Sequence, residues 1–190
     1  MLIDLSVAGM ATRMMQLLNT LPKPEEVTPL QHECLNRTFW GCYVIDRLIV
    51  CGKPQPLTLP LESMEIHWPI GQRDFAFGQA ESRVYPRTTA PDDMCEDMDG
   101  YYRLLIEGYE VATQILRWVT SGGRRRPNVC PAGGNIWSEG STWKSLYDRL
   151  QAWRARQGPR IRFPDTAIEV HVSLGQGYAC AYINLMYYVW

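Results

Sequence analysis

Cysteine and histidine are the residue types in this sequence that best suit metal binding or nucleophilic attack. The 190 residues contain six cysteines and three histidines. Structural zinc sites use four such ligands, commonly in closely spaced pairs, but here they are scattered: Cys34, Cys42, Cys51, Cys95, Cys130, Cys180, His32, His67 and His171. We therefore expect this chain to hold no metal ion and no cofactor, and its thiols to be reduced intracellular cysteines.

Motifs for nucleotide binding and hydrolysis are also missing from the sequence. Gly175 and Gly177 begin like a dinucleotide-binding fingerprint, but Cys180 occupies the place of its third glycine. There is no phosphate-binding loop and no GxSxG nucleophile motif. We interpret the chain as a non-enzyme without catalytic residues. Two alternatives stay open: a nucleophile that the fold brings next to a histidine, and a small all-α enzyme or ligand-binding protein with an aromatic pocket between its helices.

The distribution of charge argues against a general affinity for nucleic acid or anionic membranes. The formal net charge is -1, and charged residues make up 21% of the chain. Residues 62–110 carry 11 acids against 4 arginines, whereas residues 124–162 carry 9 basic residues against 2 acids. For the run Arg124-Arg125-Arg126 the sequence leaves three alternatives open: a phosphate contact, part of a nuclear-localisation patch, or a solvated loop.

Apolar residues at helical spacing predict an all-α fold, an irregular multi-helix bundle. Five helices are expected: about Leu5 to Leu18, Pro29 to the stop at Gly52 and Pro54, Tyr101 to Val119, Thr142 to Arg156, and a last helix from near Asp165 onward. Thr28 is the predicted N-cap of the second helix. We interpret residues 1–190 as a single helical domain, an incomplete fragment of a larger one.

The apolar stripes predict which face of each helix is buried. The stripes are Val7, Ala11, Met14 and Leu18 on the first helix, Leu35, Phe39, Cys42 and Ile49 on the second, Leu105, Tyr109, Ala112, Leu116 and Val119 on the third, and Trp143, Leu146, Leu150 and Trp153 on the fourth. Arg154 is expected on the solvent side of the fourth helix.

A long connection separates the second helix from the third. Between Lys53 and Asp99 six prolines exclude a long regular element. A loop of this length inside a compact domain is either packed or functional. Its apolar residues favour a long packed loop: Leu57, Leu59, Ile66, Trp68, Phe75 and Phe77.

The fifth helix is apolar on two faces, so we expect it in the core. One face contains Leu174, Tyr178, Ala181 and Leu185, and the other contains Val172, Ala179, Ile183 and Met186. Residues 172–190 carry no charge, which keeps a membrane-associated fragment as an alternative. Gln176, Asn184 and the tyrosines favour a soluble helix without a membrane partner. The sequence stops at Trp190 without a capping signal, so we expect further helices to follow.

The second helix carries a resemblance to a known family. Residues 34–47, Cys-Leu-Asn-Arg-Thr-Phe-Trp-Gly-Cys-Tyr-Val-Ile-Asp-Arg, and the turn Cys51-Gly-Lys-Pro54 resemble the signature of the fungal-specific transcription factor domain, the middle homology region of zinc-cluster regulators. The signature residues are Arg37, Phe39, Trp40, Tyr43, Asp46, Arg47, Gly52 and Pro54. Lys53 departs from the usual arginine. Weaker likenesses at residues 10–14, 137–163 and 171–177 extend the resemblance over nearly the whole chain.

The resemblance implies a regulatory, non-DNA-binding domain of a transcription factor in the nucleus. In such proteins a six-cysteine zinc cluster and a dimerisation coil bind DNA, while the helical region restrains activity or responds to an effector. Neither DNA-binding device occurs in this chain. Zinc and DNA contact are therefore expected only in a missing N-terminal cluster, and the expected partners are other parts of the full-length regulator and an effector or coregulator.

Asp46 takes an apolar place in the stripe of the second helix, which predicts a partly buried, structural carboxylate. Its neighbour Arg47 is turned by about 100° around the helix, so we expect it to point elsewhere, along Tyr43 and Trp40. The partner of Asp46 must then come from another segment, and Arg13 on the first helix is the expected one. A solvated Asp46 on the helix edge is the alternative.

Overall fold

The computed structural model describes residues 2–20, 27–50, 56–59, 66–79, 95–125 and 135–189. These residues form an all-α fold, as the periodicity predicts. The helices are α1 (Leu2–Thr20), α2 (Pro29–Val50), α3 (Gln72–Ala76), α4 (Tyr101–Thr120), α5 (Thr142–Ala155), α6 (Ile168–Ser173) and α7 (Gly177–Val189). Two short 3-10 turns, Met98–Gly100 and Gly123–Arg125, flank α4.

The chain divides into two compact units. Unit 1 contains Met1–Cys51 and Gln55–Asp92, and unit 2 contains Gly52–Pro54 and Asp93–Trp190. The single domain over residues 1–190 stays a prediction, and each unit is described below by itself.

The start of α2 is fixed by a capping box. The backbone N–H of Gln31 donates to Thr28 Oγ1 at 3.3 Å, and the backbone N–H of Thr28 donates to Gln31 Oε1 at 3.0 Å. Pro29 occupies the first helical position, where its missing N–H costs nothing. The predicted N-cap is confirmed, whereas the predicted stop at Gly52 and Pro54 lies outside the described residues.

In unit 1, α1 packs against α2, but not through the predicted stripe. Val7, Met14 and Leu18 are exposed, whereas Thr12 and Met15 are buried. The Thr12 hydroxyl donates to the Gly9 carbonyl oxygen at 2.9 Å, so its polar group is satisfied inside the helix. Hydrophobicity alone selected the wrong face of α1.

The apolar residues predicted to pack in the connection after α2 are at least partly buried in the described residues, except at one position. Leu59, Ile66, Trp68 and Ile70 are buried. Phe77 is exposed at the end of the short helix α3, so its predicted place in the packed loop is wrong.

In unit 2, α4 lies at the centre and packs against α5 and α7. Gly108 of α4 lets them approach closely: a Cβ there would lie 2.7 Å from the ring of Trp153 and 2.8 Å from the methyl group of Met186. The Trp153 indole N–H also donates to the Leu104 carbonyl oxygen at 3.0 Å. The predicted bounds of α4 and α5 are confirmed to within one residue.

The predicted fifth helix is wrong as a single element. The backbone leaves the helical path after Ser173, and Gly175 adopts a positive φ of 71° before α7 begins at Gly177. Only glycine adopts this conformation at little cost, so the residue that looked like part of a nucleotide motif ends α6 instead. Within the described ranges, no helix is long and apolar enough to cross a membrane.

Candidate functional site

The signature residues of α2 lie on its buried side. Phe39, Trp40, Tyr43, Asp46 and Arg47 are all buried, and Arg37 is partly so. The predicted stripe on this helix is only partly correct, because Leu35 is exposed. The helix therefore packs mainly through aromatic and charged residues, which a search for aliphatic periodicity misses.

Asp46 and Arg47 together hold the segment at Thr58 and Leu59. Arg47 Nη1 lies 2.9 Å from Asp46 Oδ2, and Arg47 Nη2 donates to the Leu59 carbonyl oxygen at 2.9 Å. The Asp46 carboxylate accepts backbone N–H bonds from Thr58 at 3.2 Å and from Leu59 at 3.3 Å. The Thr58 hydroxyl also donates to it. Each charge is thus matched by the other and by backbone groups.

The predicted burial of Asp46 is correct, but its predicted partner is wrong. Arg13 bonds to Gln16 on the exposed side of α1 at 3.2 Å. The carboxylate is paired by its own neighbour Arg47, whose long side chain bends back toward it while its guanidinium carbon lies 3.4 Å from the centroid of the Tyr43 ring. The stacking on Tyr43 was expected, but the divergence of the two side chains was not found.

Trp40 anchors a second part of the same connection. Its indole N–H donates to the His67 carbonyl oxygen at 2.9 Å, and its ring stacks on Trp68 with centroids 5.2 Å apart and planes at 8°. Phe39 and Tyr43 meet Trp40 edge to face at 5.4 and 5.3 Å. This arrangement buries an aromatic cluster while satisfying its polar group.

Arg37 and Glu33 hold the part of the connection that leads into α3. Glu33 Oε1 lies 2.8 Å from Arg37 Nε and accepts the Ile70 backbone N–H at 3.1 Å. Arg37 donates to the Ile70 carbonyl oxygen at 2.8 Å, and its guanidinium lies over the Phe75 ring. The apolar pattern of the sequence does not predict a role for Glu33, although its spacing of four residues from Arg37 is that of a helical ion pair.

Five residues of α2, in three sets, thus bind the backbone of the segment that follows the helix. We name this set the α2 clasp, formed by Glu33 with Arg37, Trp40, and Asp46 with Arg47. The clasp fixes an irregular segment on a helix through polar contacts to the backbone of Leu59, His67 and Ile70. Among the described residues, no group of three or more histidine, cysteine, aspartate or glutamate side chains is arranged to hold a metal ion.

Unit 2 contains a different buried polar cluster around Arg154. Its guanidinium donates to Gln157 Oε1 at 2.7 Å, to Asn184 Oδ1 at 2.8 Å and to the Phe163 carbonyl oxygen. Burial lowers the pKa of Arg154 from its ordinary value. The prediction that Arg154 faces solvent is therefore wrong. The cluster ties α5 and α7 to the segment at Phe163, so its evident role is structural.

The described thiols with altered acidity are poor nucleophiles at neutral pH. Burial raises the pKa of Cys42 and of Cys180, and burial beside Asp97 raises the pKa of Cys95 to about 11. A thiol with a raised pKa carries little of the reactive thiolate. These three cysteines behave as small apolar residues.

The aromatic residues between α4 and α5 contact one another. The ring centroids of Trp118 and Trp143 are 5.6 Å apart, and Trp137 meets Trp143 at 6.1 Å and Tyr147 at 5.2 Å. Distances of this size are those of packed ring pairs. Trp137 and Tyr147 are exposed, and Trp118 and Trp143 are half-buried, so this aromatic cluster lies at the surface of unit 2 rather than in its core.

Comparison with known proteins gives three distant relatives, all from Schizosaccharomyces pombe. Each is named an uncharacterized transcriptional regulatory protein. The first is 24% identical over 210 residues, covering 95% of this chain and 24% of the relative. The second is 22% identical over 180 residues, covering 90% and 18%, and the third is 24% identical over 171 residues, covering 80% and 24%.

The chain spans a quarter or less of the length of the curated relatives it matches. No family model matches it. No solved structure matches it either.

Proposed function

We propose that this chain is a piece of the regulatory, non-DNA-binding region of a fungal zinc-cluster transcription factor, in the fungal-specific transcription factor domain. The observation that carries the proposal is the extent of the similarity. Proteins named as transcriptional regulators align with 80% to 95% of this chain, so the likeness covers its helical body and not a short motif.

The α2 clasp supports the same proposal. The residues that resemble the family signature are the ones that organise unit 1, where Trp40, Asp46 and Arg47 bind the segment after the helix. A signature that carries such contacts is expected to persist in a family for folding reasons, even where the ligands and target genes differ. The signature therefore supports a shared fold with this family, whereas the regulatory role is proposed from the names of the relatives.

In this proposal the domain acts by binding and has no catalytic centre. An effector or a coregulator binds one packing of the helices more tightly than another and so shifts the population between them. The site of action is the nucleus. Zinc and DNA contact belong to a separate N-terminal cluster of the full-length regulator, and other parts of that regulator are the expected intramolecular partners.

A tethering experiment tests the proposal. The chain is fused to an unrelated DNA-binding domain with a reporter gene downstream of its site in a fungal cell. We expect the fusion to raise or lower transcription several-fold relative to the DNA-binding domain alone. A second fusion carrying Trp40→Ala, which removes the anchor of the clasp and is expected to cost about 3–5 kcal/mol of stability, should lose the effect.

Immunoblotting and chromatin precipitation of the fusions provide the control. A fusion that is present at normal levels and occupies the site, yet leaves the reporter unchanged, contradicts the proposed regulatory role. An equal effect from the wild-type and Trp40→Ala fusions would also contradict it, because the activity would then not depend on the folded unit.

A further inference from the structure

One buried charge of unit 2 has no opposite charge beside it. Among the described residues the buried charged side chains are Glu33, Asp46, Arg47 and Arg154. The first three belong to the ion pairs of the α2 clasp. Arg154 donates to three neutral oxygen atoms instead, and no carboxylate of the described residues pairs with it. A buried charge is normally balanced by an opposite one, so Arg154 is the exception in this chain.

Gln157 adds a buried hydrogen-bond donor to the same place. Its side chain is 1% exposed, and its Oε1 accepts from Arg154 Nη1 at 2.7 Å. Its Nε2 is buried and has no hydrogen-bond partner among the described residues. The reverse orientation of the amide would set its N–H groups against the guanidinium, so the contact with Arg154 fixes where Nε2 lies. Two donors that lie side by side and lack an acceptor or a counter-charge indicate one common partner, a negatively charged acceptor.

A second positive charge makes the surroundings of Arg154 more favourable for an anion. Burial is the main cause that lowers the pKa of Arg154, and the nearby charge of Arg162 lowers it further. Asp165 lies close in sequence, but its carboxylate pairs with Arg162 at 2.6 Å on a half-open part of the surface. An anion beside Arg154 would therefore meet two guanidinium groups, of which only Arg162 has an acidic partner.

Arg154 lies directly beneath side chains that reach the solvent. The prediction that both faces of α7 are buried is wrong, because its outer face is exposed at Leu185 and Tyr188. The guanidinium carbon of Arg154 lies 5.6 Å from the centroid of the Tyr188 ring, and the Tyr188 hydroxyl donates to the Phe163 carbonyl oxygen at 3.4 Å. Phe163 is itself exposed. Exposed side chains change rotamer within nanoseconds, so the path from solvent to Arg154 is short.

We propose that Arg154 and Gln157 form a binding site for a carboxylate group, which accepts hydrogen bonds from the Arg154 guanidinium and from Gln157 Nε2. A carboxylate has two acceptor oxygen atoms, and these match two adjacent donors. Unit 1 contains the same combination within one chain, since the Asp46 carboxylate accepts from Arg47 and from the backbone N–H of Thr58.

The carboxylate belongs either to a small organic acid or to an acidic side chain of a protein, because both present the same group. This inference does not rest on the proposed function, since it uses only burial, hydrogen bonds and charge in unit 2.

Acetate is the probe, because it presents a carboxylate on a single methyl group. The thermal unfolding midpoint of the purified chain is measured while sodium acetate replaces sodium chloride up to about 100 mM at constant ionic strength, which keeps the general screening of charge equal. We expect the midpoint to rise by several degrees, since a ligand that binds only the folded chain stabilises it. Saturation-transfer NMR should show direct contact between the protein and the acetate methyl group.

Gln157→Glu supplies a carboxylate of the same shape beside Arg154. It should raise the midpoint in the absence of acetate and abolish the response to acetate. Gln114→Glu is the matched control, because Gln114 accepts a hydrogen bond from the exposed Arg149. It should change the midpoint little, as expected for a surface pair, and keep the wild-type response. Gln157→Met removes the amide at similar length and should weaken acetate binding about tenfold.

Three results would overturn the site: a wild-type midpoint that does not respond to acetate, an equal response in wild type and Gln157→Glu, or a Gln157→Glu chain that is less stable than wild type. If Gln157→Glu does not fold, an undiminished response in Gln157→Met overturns it. A capped hexaglutamate peptide distinguishes the sources. A stronger response to the peptide than to acetate at equal carboxylate concentration assigns the site to a protein side chain, and a weaker one assigns it to a small acid. None of these results bears on the tethering experiment.

Discussion

The carboxylate of Asp46 is paired with the guanidinium of Arg47, the residue next to it on the same helix, at 2.9 Å. Both side chains are about 95% buried. Adjacent helical residues point about 100° apart, so this pair forms only because the arginine bends back and because Thr58 and Leu59 supply further partners. The pair is a junction between a helix and the segment that it holds.

Asp46→Asn should lower the free energy of unfolding by roughly 3 kcal/mol, because it leaves the buried Arg47 without its counter-charge. Asp148→Asn is the matched control: Asp148 is 53% exposed and pairs with Lys144, so its loss should cost less than about 1 kcal/mol. Urea denaturation measures both. Equally small losses for Asp46→Asn and Asp148→Asn would show that the Asp46–Arg47 pair adds nothing to stability. Energetic coupling between Asp46→Asn and Arg13→Gln would show that Arg13 is the partner of Asp46 after all.

Gly108→Ala and Gly41→Ala should move stability in opposite directions. A methyl group at Gly108 collides with the Trp153 ring at 2.7 Å, and the overpacking should outweigh the better helix propensity of alanine by on the order of 1 kcal/mol. Gly41 has open space around it, so alanine should stabilise α2 by up to about 1 kcal/mol. Thermal unfolding compares the two variants. A Gly108→Ala variant as stable as Gly41→Ala would mean that α4 and α5 do not pack as closely as described.

Burial and the neighbouring Asp97 raise the pKa of Cys95 from 9.0 to about 11. Cys95 should therefore react slowly with iodoacetamide, and its reaction rate should keep rising up to about pH 11. Because the folded pKa is the higher one, the neutral thiol stabilises the fold below about pH 9, and this contribution is lost as the pH rises toward 11. Peptide mapping gives the rate, with exposed Cys34 as an internal reference. A rate for Cys95 that levels off near pH 9 would contradict its burial.

Chelator treatment should leave the thermal unfolding midpoint of the purified chain unchanged. We expect well below one zinc ion per chain by elemental analysis, because the cysteines lack ligand spacing. A zinc domain in contrast loses its fold when the metal is removed. A stoichiometric zinc ion, or a fall of the midpoint with chelator, would overturn the assignment of zinc to a separate cluster.

The sequence by itself determined where several helices begin and end. The capping residues Thr28 and Gln31 fix the start of α2, and the helical period gives the bounds of α4 and α5 to within a residue. These signals are local because a cap or a helical turn involves residues three or four positions apart. The all-α class follows directly from them.

Only the tertiary structure decided which faces are buried and which charges meet. Thr12 is buried whereas Val7 is exposed, and one side of α7 is exposed although both sides are apolar. Burial depends on what arrives from distant parts of the chain, and periodicity records only that a helix has an apolar side. Likewise Asp46 and Arg47 meet where Thr58 and Leu59 lie beside α2, a contact between residues twelve positions apart that no spacing rule encodes.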